Sequence, residues 1–377
     1  MTIINNMSAS KDEPLISIPA SSATSTVRVI DSTSTIHYPA HYFFTVPIAS
    51  HSDLDGPSFS FLVSDSSGKR HVLFDLGIRK DWKTGLPKHF VEDLEKKGAY
   101  CEVEYDVAEI LDKESSSLPK SKDIESIIWS HHHFDHTGNP NLFHSHVPIL
   151  VGPGFKKAVL PGYPKDPSSS VTSSCWDDRT LKEVDFEKDE RALQIGPFQA
   201  IDYFGDSTFY LISTPGHAPG HLSGLARVTP TTFVFMGADA AHHEGEFRPS
   251  QYLPLPKTVS LPSSKRFSAS GCPGEILANL QPERKGSITT PFYEPSDDFC
   301  TDKEQAMDSI RGIIELDASS DTFVILAHDK SLRSKIPLFP ESINDWKEKD
   351  LDAKTRWLFV DEFAASVDEA YSTNEVD

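Results

Sequence analysis

An apolar run, Ile124-Glu125-Ser126-Ile127-Ile128-Trp129, reads as a buried strand and leads directly into Ser130-His131-His132-His133-Phe134-Asp135-His136-Thr137-Gly138-Asn139. The spacing His-x-His-x-Asp-His places His131, His133, Asp135 and His136 within six residues. Neutral imidazole and carboxylate suit a borderline cation such as zinc. Ligands at the C-terminal end of a strand, followed by a turn, are where a sheet can hold an ion open to solvent. The compositional alternative is a surface His tract. The Asp, the fixed spacing and further ligand-type residues downstream argue against it. If the segment is extended, side chains alternate. His132 then points away from its neighbours, and Phe134 becomes a candidate for the pocket lining.

Four other segments carry related chemistry: Phe74-Asp75-Leu76-Gly77, Thr214-Pro215-Gly216-His217-Ala218-Pro219-Gly220-His221, Gly237-Ala238-Asp239-Ala240-Ala241 and Leu326-Ala327-His328-Asp329. Together with the His cluster, and in this order, they resemble the metallo-β-lactamase superfamily. Within it the chain is similar to lactonases that open acyl-homoserine lactone rings and to fungal lactamase-like relatives. The resemblance implies an α+β fold, the four-layer αβ/βα sandwich. It implies two Zn2+ ions, although manganese and iron accept such ligands too. His131, His133 and His217 would hold the first ion, and Asp135, His136 and His328 the second. Asp239 would bridge them, and Asp135 would also be catalytic. Two ions about 3.5–4 Å apart can activate a shared water and polarise a carbonyl. The implied reaction is the opening of a small cyclic ester, lactam or carbamate by a metal-bound hydroxide. A thioesterase of the same fold, acting on glutathione or carrier-bound acyl groups, is the alternative. It calls for cations near the C-terminal helices, where Arg333, Lys335 and Arg356 are available.

Some positions keep two readings. Asp239 could instead cap the strand over residues 232–236. Asp75 could orient a ligand His, as in the family, or simply form a turn. His221 reads as a supporting residue rather than a ligand. The lactonases carry a Tyr three positions after the bridging Asp. Here that position is His242, followed by His243 and Glu244. An imidazole can donate to an oxyanion or protonate a leaving group, or His242 can be an ordinary polar loop residue. His243 is a further candidate for the substrate pocket.

The net charge of −20 would repel a phosphate backbone, which weighs against nucleic-acid substrates. A small-molecule substrate is the expected partner, and the sequence leaves the oligomeric state open. Cys101, Cys175, Cys272 and Cys300 are widely spaced and form no metal or disulfide pattern. Reduced thiols and a cytoplasmic location are the expectation. No apolar stretch is long enough for a membrane span. Residues 1–26 read as a disordered leader, and residues 27–371 as one catalytic domain with an insertion around 246–294. Strands are expected over residues 41–46 and 322–326 among others, and one continuous helix over 352–371.

Overall fold

The structure, a computed structural model, describes residues 16–114 and 117–373. Two six-stranded sheets each take their strands in chain order. The first contains β1 (Thr26–Ile30), β2 (Ser60–Ser64), β3 (His71–Phe74), β4 (Ser126–Ile128), β5 (Ile149–Val151) and β6 (Leu181–Glu183). Its first three strands are antiparallel, and β3 to β6 run parallel. The second contains β7 (Ala192–Ile195), β8 (Phe198–Asp202), β9 (Phe209–Ser213), β10 (Leu222–Arg227), β11 (Phe233–Ala238) and β12 (Thr322–Leu326). It is antiparallel until β12, which joins β11 in parallel. Around the sheets pack helices α1 (Lys88–Lys96), α2 (Val107–Lys113), α3 (Phe134–Thr137), α4 (Phe155–Val159), α5 (Lys303–Ala318) and α6 (Ala364–Thr373).

The period-2 alternation of strand side chains sets the layers. In β2, Phe61 and Val63 join Val27, Val29 and Phe74 against Phe209, Leu211, Val234 and Ile325 of the second sheet. Leu62, between them, faces outward to Val107, Leu111 and Phe155 of α2 and α4. The second sheet repeats this: Tyr210 and Ile212 pack outward against Ile310, Ile313 and Leu316 of α5. Helix, sheet, sheet and helix are thus stacked as an αβ/βα sandwich of the α+β class. Each fully buried apolar side chain contributes roughly 1.5–3 kcal/mol.

A further cluster walls one edge of the sandwich. It joins Tyr38, Phe43 and Phe44 to Leu94 of α1, to Leu255, Leu277 and Tyr293 of the insertion, and to Phe359, Phe363 and Val367 near the C-terminus. The insertion contains a two-stranded ribbon, Thr258–Val259 with Cys272–Pro273, and the short helix Gly274–Ala278.

Several expectations need correction. Residues 41–46 do not form a strand: Ala40–Tyr42 is a 3-10 turn. Phe43 and Phe44 are both buried in the edge wall, which a regular strand would prevent by sending them to opposite faces. The C-terminal helix is broken into Leu351–Thr355, the 3-10 segment Leu358–Phe363 and α6. The tighter winding turns Phe359, Val360 and Phe363 together into the wall. Of the expected leader, residues 1–15 lie outside the described residues. Ile16 and Ile18 pack against the outer cluster of the second sheet, so the packed chain begins ahead of residue 27. The small sheet formed by Thr35–Pro39, Asp53–Gly56 and Tyr100–Glu102 was not expected. All four cysteines are free. Among the described residues, no helix is long and apolar enough to cross a membrane.

Candidate metal centre

Parallel pairing brings the ligand-bearing strand ends together. β3 runs into Asp75, β4 into His131, β11 into Asp239 and β12 into His328, and the pairs β3–β4 and β11–β12 are both parallel. Two of the turns use positive φ at non-glycine residues, +60° at Asp75 and +46° at Ala238. For a residue with a Cβ this conformation is costly. The strain is held where the chain must swing Asp75 and Asp239 inward. The loop carrying His217 approaches α5 so closely that a Cβ on Gly216 would lie 2.0 Å from the Ala306 nitrogen.

The side chains converge in two groups that share Asp239. His131, His133, His217 and Asp239 bring their nitrogen and oxygen atoms within 4.8 Å of one another, and so do Asp135, His136, Asp239 and His328. His217 Nε2 lies 3.2 Å from His131 Nε2 and 3.0 Å from His133 Nδ1. Asp239 Oδ2 lies 3.6 Å from His131 Nε2 and 3.5 Å from His217 Nε2. On the other side Asp239 Oδ1 is 3.0 Å from His136 Nε2 and 3.1 Å from His328 Nε2. Asp135 Oδ2 is 3.4 Å from His328 Nε2.

This donor set fits divalent cations. Three imidazole nitrogens facing one point cannot satisfy each other as donors and acceptors. Four-coordinate zinc with nitrogen ligands at about 2.0–2.1 Å spaces them about 3.3 Å apart. His136 Nε2 and Asp239 Oδ1 are buried without hydrogen-bond geometry to any partner. Burial, then neighbouring imidazoles, holds His131, His133 and His217 well below the ordinary imidazole pKa, so they stay neutral. Burial opposes ionisation of Asp239, but His136 and His328 outweigh it and keep its carboxyl well below the usual range.

Surrounding hydrogen bonds select tautomers. Asp75 Oδ2 accepts from His136 Nδ1 at 2.8 Å, and Asp75 Oδ1 from the Ser130 N–H at 2.7 Å. His328 Nδ1 donates to the Pro57 carbonyl at 2.8 Å. Both rings therefore commit Nδ1 outward and turn Nε2 inward, the atom that would meet an ion. His221 Nδ1 donates to the Thr214 carbonyl at 3.0 Å, which leaves Nε2 to accept the Asp239 N–H at 3.2 Å. His221 thus pins the Asp239 backbone.

His242 lies beside this group. Its ring packs on His217 and Phe43, with centroids at 4.7 and 4.8 Å. Its Nε2 is 3.5 Å from Asp239 Oδ2 and has no hydrogen-bond partner. Its own N–H donates to the buried Glu246 Oε2 at 2.5 Å.

A cavity of about 300 Å³ opens over the centre, lined by Phe134, Tyr38, Phe43, Phe90 and Phe299 alongside Asp135, His217 and His328. His242 lies behind that lining, against Phe43 and His217, and His243 is not part of it either. The His243 ring turns the other way, 4.8 Å from His51 and against Phe359 and Phe363. His51, His243 and Glu362 form a third cluster of ligand type. It suits a cation poorly. His243 Nδ1 accepts from the Gly245 N–H at 3.0 Å, which puts the ring proton on Nε2, and Lys330 already sits 2.8 Å from Glu362.

Arg333 and Arg356 pair with Asp31 and Asp352, and neither they nor Lys335 line the cavity. Nothing in the sequence singles out Tyr38, Phe43, Phe299 and Glu246 as neighbours of this centre. Only the fourth-residue spacing of Glu246 after His242 could have suggested it.

No protein-family model matches the chain. It is 43% identical over 357 residues to the metallo-hydrolase mfmC of Annulohypoxylon moriforme, covering 94% of this chain and 91% of that protein. It is 39% identical over 377 residues to the gamma-lactamase FDB1 of Fusarium pseudograminearum, covering 98% and 89%. Among solved structures, an N-acyl homoserine lactone hydrolase with N-hexanoyl-L-homoserine bound at its catalytic metal center superposes with a TM-score of 0.53 at 17% identity. The match covers 85% of this chain and all of that one.

Proposed function

The chain belongs to the metallo-β-lactamase superfamily of hydrolases, and from that premise we propose that it opens a small lactam, cyclic carbamate or lactone at a centre of two divalent ions. The convergence of seven His and Asp side chains beneath an apolar cavity carries this reading. His131, His133 and His217 would hold one ion and Asp135, His136 and His328 the other, with Asp239 shared between the two groups. Zinc is the first choice for this nitrogen-rich set, with manganese or iron as substitutes. When bound, such ions polarise a carbonyl and make a water acidic near neutral pH.

The protein's own groups do the rest. Asp75, the Pro57 carbonyl and His221 fix the rings and the Asp239 backbone, which keeps the donor set in place without reorganisation. Phe134, Phe43 and Phe299 receive the apolar body of the substrate and exclude bulk water. Asp135 takes up the proton lost by the attacking water. His242 Nε2 donates to the carbonyl oxygen as charge develops and then supplies a proton to the departing ring atom. A ring nitrogen leaves poorly unless protonated, so an imidazole here suits lactams and carbamates better than a Tyr hydroxyl would.

The direct test is a panel of γ-lactams, cyclic carbamates, γ-lactones and thioesters offered to metal-loaded and metal-depleted protein. The expected result is metal-dependent ring opening with a preference for ring nitrogen over ring oxygen. Full turnover by a metal-free Asp239→Ala protein would overturn the assignment.

A further inference from the structure

The insertion and α5 enclose a second cavity of about 480 Å³, which shares no lining residue with the cavity of about 300 Å³ over the metal centre. Met307, Ile310 and Ile314 of α5 give it an apolar wall, and Glu246 and Gln281 supply polar groups. These two residues are only 2% and 6% exposed, and each leaves its Oε1 without a hydrogen-bond partner. The Gln281 amide is oriented by its Nε2, which donates to the Val46 carbonyl at 2.7 Å, so the orphan atom is the oxygen. Glu246 commits Oε2 to the N–H groups of His242 and His243, at 2.5 and 3.2 Å, and Oε1 is the atom left over.

Two buried acceptors without donors destabilise the fold unless something supplies the missing protons. The cations nearby are spent. The Arg284 guanidinium donates to the carbonyls of Ala278, Ser287, Thr290 and Pro291 and stacks on Phe292. Arg311 is drawn to Asp308 at the exposed rim.

We propose that this cavity is a second ligand site that binds an organic ammonium ion. Its apolar body would rest on Met307, Ile310 and Ile314, and its N–H groups would donate to Glu246 and Gln281. The net charge of −20 favours the approach of such a cation. Because Glu246 also holds the His242 backbone, the site lies directly behind the loop that carries His242.

Titration calorimetry of the full chain with benzylammonium, and with benzyl alcohol as its neutral match, tests this. Saturable one-to-one binding is expected, with the ammonium bound about tenfold or more tightly than the alcohol, the margin of charge-assisted over neutral hydrogen bonds. Met307→Trp, which fills the cavity, should abolish it, and Gln281→Leu should weaken it about tenfold. Phe134→Trp, which fills the cavity over the metal centre, should leave it unchanged. Ile314→Trp replaces Met307→Trp if that variant does not fold. Equal affinity for amine and alcohol would overturn the proposal by reducing the cavity to an apolar hollow. Binding lost in Phe134→Trp but kept in Met307→Trp would overturn it by moving the amine to the metal centre. Absence of saturable binding would leave the two oxygens to water and overturn it equally.

Discussion

At the residue scale, metal binding turns on which ring nitrogen of each histidine is free. Asp75 receives the Nδ1 proton of His136 at 2.8 Å. Asn at this position can instead offer its amide N–H and reverse the tautomer, turning a proton toward Asp239. Asp75→Asn should therefore lower metal affinity by about 10–100-fold, read by competition with a chelator; unchanged affinity would reduce Asp75 to a turn residue. His242 supplies the complementary case. Removing one oxyanion donor typically lowers turnover about a hundredfold or more. His242→Ala should show that loss in kcat with metal content intact, and equal kcat in both proteins would remove the role. That the His-x-His-x-Asp-His run meets the distant His217, Asp239 and His328 was legible, because the chemistry of a ligand-type cluster dictates residue type and order. The direction of His243 was not. Adjacent residues in an irregular turn can face opposite ways, and only the Gly245 contact and the aromatic wall decide which.

At the scale of elements, the sandwich strands were readable because their alternation follows from a face buried between two sheets. The edge wall was not. Phe43, Phe44, Phe359 and Phe363 are apolar neighbours in segments whose local pattern suits a strand or a helix, and tertiary packing wins over both. The wall also holds a titratable group. Burial first, then His243 and Lys330, pulls the His51 pKa down to about 3 against the opposing pull of Glu362. In the unfolded chain His51 binds its proton near pH 6.5. Between these values the unfolded state holds the extra proton, so stability falls as pH drops from about 6.5 toward 3. His51→Phe removes this dependence. The wild type should lose about 1.4 kcal/mol more per pH unit than the variant between pH 6 and 4, measured as denaturant-unfolding free energies. Parallel pH profiles would mean that His51 is charged inside the wall.

For the molecule as a whole, the order of the strands along the chain is also their order in each sheet. This carries the ends of β3, β4, β11 and β12 to a common edge, and the insertion, α1 and the C-terminal segments roof it. Sequence motifs locate the edge, but the roof that shapes the cavity comes from low-periodicity segments, which is why the cavity was less legible than the ligand-type cluster beneath it. Elemental analysis of the purified protein by mass spectrometry, paired with ring-opening rates on the best lactam or lactone, decides whether this edge holds two catalytic ions. Two divalent ions per chain are expected in the wild type, with His217→Ala and His328→Ala each losing about one ion and nearly all activity. A wild-type protein that hydrolyses its substrate with no bound metal, or alanine variants that keep both ions and full rate, would rule out a dinuclear catalytic centre.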